Sequence, residues 1–177
     1  MSFIATVYKI IKFPGNFLTS LKLHEFIIII VVPIIVCSPL IFVDICPDDI
    51  DGYLNTLLTM ASIITSFEVA VITILFTSQS RNIEVAKKKP TNRADLEGFE
   101  ISYYQLILIR NFYLTFVLIA LIFIGLVFKL LLNMIPPVVQ KILLGFELFA
   151  FVHAIVVLVF VLIHMYHLLW EEKLTKE

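Results

Sequence analysis

A few ionisable residues stand where this chain is otherwise hydrocarbon-like. Glu68 lies inside "TSFEVAVITILFTSQS", residues 65–80, and Glu147 and His153 lie in another long apolar run. An acid in such surroundings must face protein or water, because a charge at mid-bilayer costs at least about 2.5 kcal/mol. Nine residues separate Glu68 from Thr77. At ~1.5 Å per residue that places Glu68 roughly 13 Å from the inner surface. Matching depths make His153 the expected partner, since Glu147 lies nearer the outer surface. Two readings of a Glu68–His153 pair stand side by side. One is a proton- or voltage-responsive pair, or a pore lining; the other is an interhelical hydrogen bond that fixes packing.

Other polar groups offer less chemistry. His164, His167 and Glu171 share a helix face, and His24 and Glu25 start an apolar run at the same surface. Such a set has zinc-ligand character. Histidines beside Tyr166 and Trp170 equally fit the aromatic belt of a membrane interface. The expectation is no metal site. No His pairs stand at two depths on two helices, as a bis-His haem needs, and no nucleophile–base set is visible. The expectation is a protein that is not an enzyme, with no catalytic residues, no cofactor and no small-molecule substrate. Cys37 and Cys46 straddle a helix end and are not expected to bridge. Ala150 and Ala154 form a small-xxx-small contact, with Val157, Val161 and His164 on the same face.

These groups must be positioned by membrane helices. Of the 177 residues, 60% are apolar and 15% charged, against about 45–50% and about 25% in soluble domains. The excess gathers into four runs, about 26–43, 54–77, 104–132 and 138–166. Backbone amides in lipid must be satisfied internally, so each run predicts a helix. The fold class expected is therefore an all-α membrane protein with four transmembrane helices, spanning 26–170. Pro33 and Pro39 are expected to kink the first span, and Asn133 with Pro136–Pro137 to turn the chain between the last two.

Charge sets the direction. Of thirteen Lys and Arg, eleven fall in the N-terminal segment, the middle loop through Arg110 and the tail, and only Lys129 and Lys141 on the other side. The positive-inside rule then places both termini and the middle loop in the cytoplasm. Residues 1–25 read as an amphipathic interfacial segment, or else a short helix packed on the bundle, from Phe3, Ile4, Val7, Tyr8 and Ile11 at helical spacing, ended by Pro14-Gly15. Residues 171–177 are a cytoplasmic tail. The polar segment 80–103 predicts a cytoplasmic helical hairpin broken at Pro90, with Asp95 or Glu97 in the first turn of its second arm. Its Arg81, Lys87, Lys88, Lys89 and Arg93 form a basic patch for a protein partner or anionic lipid, or simply the positive-inside cluster. A net charge of −1 argues against direct nucleic-acid binding.

Span two carries a second signature. Asn55, Thr59, Ser62, Ser66 and Thr73 fall on one stripe with Ala70 and Thr77, and Glu68 points elsewhere. Such stripes let helices approach and hydrogen-bond. Two non-lipid faces predict a central helix in a homo-oligomer, with a tetramer expected.

The order of spans, the polar connection Ser80–Tyr103 and the tiny outer turns resemble the small four-span subunits of bacterial anti-phage systems, in particular the Kiwa membrane subunit. The resemblance covers roughly Phe26 to Trp170. It implies an inner-membrane homotetramer that senses envelope disturbance and anchors a defence complex, with a cytoplasmic partner doing the inhibiting. The alternative is a small oligomeric channel or pore-forming effector lined by span two.

Overall fold

The computed structural model describes residue 12 and residues 14–41 and 47–170. The expected interfacial helix falls almost wholly on residues outside this set, as do Cys46 and the tail. Within it, residues 14–19 are helical. Pro14-Gly15 therefore does not end helical structure there.

After this stretch come five helices and a two-stranded ribbon: α1 (Leu23–Cys37), α2 (Pro47–Thr77), α3 (Arg81–Lys88), β1 (Pro90–Ala94), β2 (Glu100–Ser102), α4 (Tyr103–Leu131) and α5 (Pro137–Trp170). Three stretches are long and apolar enough to cross a membrane: Asp49–Thr77, Tyr103–Met134 and Pro137–Leu168. The fourth expected span is a shorter apolar helix, α1, with Pro33 inside it and a 3-10 turn, Ser38–Ile41, after it. Pro39 thus lies beyond the α-helix rather than kinking it. α2 starts earlier than expected and takes in the acidic "PDDIDG". Pro47 suits a first turn, and carboxylates near a helix N-terminus are favoured by its dipole.

α2 packs most extensively on α4, α4 on α5, and α1 on α5. The central core joins Ile29, Ala61, Leu114, Leu118, Leu121, Ala154, Val157 and Val161. At Gly125 of α4, a Cβ would meet Leu58 Cδ2 at 2.7 Å, so the missing side chain lets α2 come close. Phe67, Phe123 and Phe146 point outward, 68–69% exposed. Patches of that kind are a liability in water and ordinary against lipid.

The segment after α2 departs from expectation. α3 forms, but its second arm is an antiparallel ribbon, with Pro90 opposite Ser102 and Ala94 opposite Glu100. Pro90 stops the helix, and Asn92 (φ 53°) and Gly98 (φ 82°) take left-handed conformations that helices exclude. Asp95 is no helix-start residue. Its Oδ1 accepts from the Glu97 and Phe99 amides at 2.9 and 3.0 Å and closes the turn. The start of α4 is instead Ser102, whose hydroxyl accepts from Gln105 N while Gln105 Oε1 accepts from Ser102 N, a capping box.

Candidate functional site

The ribbon brings together the strongest polar cluster among the described residues. Glu25 stands one residue ahead of the apolar run that begins at Phe26. Arg93 on β1 donates to both its carboxylate oxygens, at 2.7 and 2.9 Å. Arg110, on the second turn of α4, donates to Glu25 Oε2 at 2.9 Å. The Lys22 amide donates to the same oxygen at 3.0 Å. Glu25 is 4% exposed and Arg110 1%. Burial by itself would raise the Glu25 carboxyl. The hydrogen bonds from Arg93 and the Lys22 amide, with the Arg110 charge, overcome that and hold it at about 2. Arg93 Nη1 also donates to the Ser20 carbonyl. One side chain therefore ties the ribbon to the N-terminal segment and to the start of α1. Lys12 pairs with Glu97, and the Leu96 amide donates to Asn16 Oδ1, extending the same attachment.

Arg93 is therefore not part of an open basic patch. Its charge is spent inside, because a buried carboxylate requires a cation and a ribbon can carry one there. Arg81, Lys87, Lys88 and Lys89 do stand on an exposed surface. Lys87 lies over the Tyr104 ring at 5.2 Å and Lys89 over Tyr103 at 5.5 Å. His164 takes the other side of Arg110. Its Nδ1 is 2.6 Å from the Phe160 carbonyl and 3.3 Å from Arg110 Nη1. Glu25 thus serves arginines rather than the His164–His167–Glu171 group, and Glu171 lies outside the described residues.

The expected Glu68–His153 pair does not form. His153 is engaged on another axis. Pro33 has no N–H, so the Ile29 carbonyl one turn earlier lacks its helical donor. His153 Nδ1 lies 3.3 Å from that oxygen, and its Nε2 lies 2.9 Å from the Tyr113 hydroxyl. With the carbonyl able only to accept, Nδ1 carries the hydrogen and Nε2 accepts from Tyr113. Tyr113 in turn stacks on Phe17, with centroids 3.7 Å apart. The histidine repairs a proline break and joins α1, α4 and α5. Depth alone pointed to Glu68; the proline four residues after Ile29 was the signal available in the sequence.

Glu68 is 2% exposed, inside the protomer, and its Oε2 has no hydrogen-bond partner. The span-two stripe faces the opposite way. Asn55, Thr59, Ser62, Ser66 and Thr73 are all exposed. The hydroxyls bond back to their own helix, as Ser62 does to Leu58 O at 2.8 Å and Ser66 to Ser62 O at 2.9 Å. Asn55 differs, for it donates to Asp51 and accepts from Lys129.

These features define a helical bundle built to lie in a membrane. The chain matches no family model, no curated protein and no solved structure.

Proposed function

We propose that this chain is a four-span subunit of the bacterial inner membrane, with both termini cytoplasmic, that assembles with copies of itself and passes the state of its bundle to a cytoplasmic protein. The observation that carries this reading is the Arg93–Glu25–Arg110 cluster. It couples the ribbon, the only sizeable polar projection among the described residues, to two helices of the bundle, so that a shift of α1 against α4 is felt at the ribbon. Length supports the fourth span. The twelve residues from Phe26 to Cys37 and the four of the 3-10 extension rise about 26 Å together, close to the thickness of a hydrocarbon core. Charge supports the orientation, since Arg81, Lys87 and Lys88 stand at the ribbon end and Lys129 at the other.

In the setting that the Kiwa resemblance implies, the bundle is the sensor and anchor of an anti-phage complex, a homotetramer whose cytoplasmic partner acts. The test is phage plating on cells that carry the chain with its neighbouring genes. Arg93→Ala should abolish protection while the protein still inserts and assembles. Full protection by that variant would remove the relay. A second reading, a channel lined by α2, draws on the outward-facing hydroxyl stripe. Ion leakage from liposomes holding the purified protein, lost in Ser62→Leu/Ser66→Leu, would favour it.

A further inference from the structure

Two buried acids take no part in the cluster at the ribbon end. Glu68 on α2 and Glu147 on α5 are 2% and 4% exposed, and each has one carboxyl oxygen without a hydrogen-bond partner. Neither acid has an ion-pair partner among the described residues, whereas Glu25 has two. Their depths follow from the packing. The Glu147 carboxyl carbon lies 3.6 Å from the point where a Gly125 Cβ would sit, and Leu58 Cδ2 lies 2.7 Å from the same point. Glu147 is therefore level with Leu58. Glu68 is ten residues further along α2, about 15 Å closer to the ribbon end.

The neighbouring helices carry ionisable groups that have other partners. On α4, Arg110 serves Glu25 and Tyr113 serves His153. On α5, His153 holds Ile29 O and His164 approaches Phe160 O. On α1, Glu25 is neutralised by its arginines. Tyr104 of α4 donates to Leu75 O, and Lys129 at the far end pairs with Asp51. An ionised carboxylate with an unmatched oxygen and no cation is far more costly inside a bundle than a neutral acid.

We propose that Glu68 and Glu147 are proton-binding sites, held as neutral carboxylic acids at two depths of the bundle, whose ligand is a proton exchanged with water. Each site gains one proton on a carboxylate oxygen and loses one negative charge. Because both acids are buried within a single protomer, this holds for sensor and channel alike. It also gives the bundle a chemistry that the ribbon-end cluster does not have.

Infrared spectroscopy of the full chain in nanodiscs at neutral pH tests it. A neutral carboxylic acid has a C=O stretch that a carboxylate lacks, and its position shifts when the acid proton exchanges for deuterium. The expected result is such a band, shifted in D2O. It should lose roughly half its area in Glu68→Gln, and likewise in Glu147→Gln, and all of it in the double variant. Aspartate at either position, which keeps a carboxyl, should retain a displaced band even where glutamine disturbs assembly. A wild-type spectrum without the band, a band that D2O leaves unmoved, or one that survives in the double variant would overturn the assignment.

Discussion

Arg93 and Glu25, 68 positions apart in sequence, meet in a two-pronged pair at 2.7 and 2.9 Å, both nearly buried. This contact decides how a short polar ribbon is held against apolar helices. Removing Arg93 leaves the buried Glu25 carboxylate with Arg110 but strips its Oε1 of a partner, a loss smaller than the about 3–5 kcal/mol of a buried charge left wholly alone. Arg93→Ala should therefore lower the thermal midpoint of the protein in mild detergent and open the turn at residues 95–99 to protease. Arg93→Lys should recover only part of the loss, because an ammonium cannot match both oxygens. Unchanged protease resistance in Arg93→Ala would show that the ribbon is held by other contacts.

The same pair predicts acid sensitivity. The Glu25 carboxyl is held at about 2 in the folded chain against an ordinary 4.5. A group with a depressed value stabilises fully above its unfolded value, and that contribution is lost as pH falls through the window from about 4.5 to about 2. Wild-type thermal midpoints should fall across that window. Glu25→Gln should start lower and show a shallower decline there. Parallel curves for the two proteins would contradict the assignment.

The link between Pro33 and His153 can be read by a double-mutant cycle. His153→Leu leaves the Ile29 carbonyl and the Tyr113 hydroxyl without partners, at a cost on the order of 1 kcal/mol. Pro33→Ala restores an N–H that the Ile29 carbonyl can accept from within its own helix. Adding it should therefore recover more stability in the His153→Leu background than in wild type. Equal effects in both backgrounds would mean that the imidazole does not serve that carbonyl.

Assembly is tested at the hydroxyl stripe. Ser62 and Ser66 are exposed on the protomer and small enough for close approach of a neighbouring helix. In a mild-detergent mass measurement, wild type should run as a homo-oligomer, a tetramer being expected. Ser62→Leu/Ser66→Leu should shift it toward the monomer without loss of helix content. A monomeric wild type would remove the oligomer and, with it, the pore reading.

Orientation is tested by cysteine labelling, with Cys37 and Cys46 first replaced by serine. An impermeant reagent should reach Asp49→Cys in intact cells, and should reach Lys88→Cys and Thr175→Cys only after lysis. The reverse pattern would invert the bundle.

Apolar runs suffice to place the long helices of this chain, because lipid leaves a backbone almost no alternative to helix and each run reports its own length. The three stretches long and apolar enough to span a membrane, Asp49–Thr77, Tyr103–Met134 and Pro137–Leu168, cover those runs, the first starting five residues earlier than expected. The ribbon was less legible. Pro90 marks where α3 stops, but the ribbon itself depends on left-handed Asn92 and Gly98 and on strand partners six and twelve residues away, Ala94 with Glu100 and Pro90 with Ser102. The S-x-x-Q capping box at Ser102 was readable and marks the true start of α4. The polar contacts belong to tertiary structure alone. Helical periodicity gives a residue its depth and its face but not its neighbour on another helix. His153 could thus be placed at the depth of Glu68 and still be claimed by the Ile29 carbonyl that Pro33 leaves open. Arg93 could be read as one basic residue among five, until the fold carried it to Glu25.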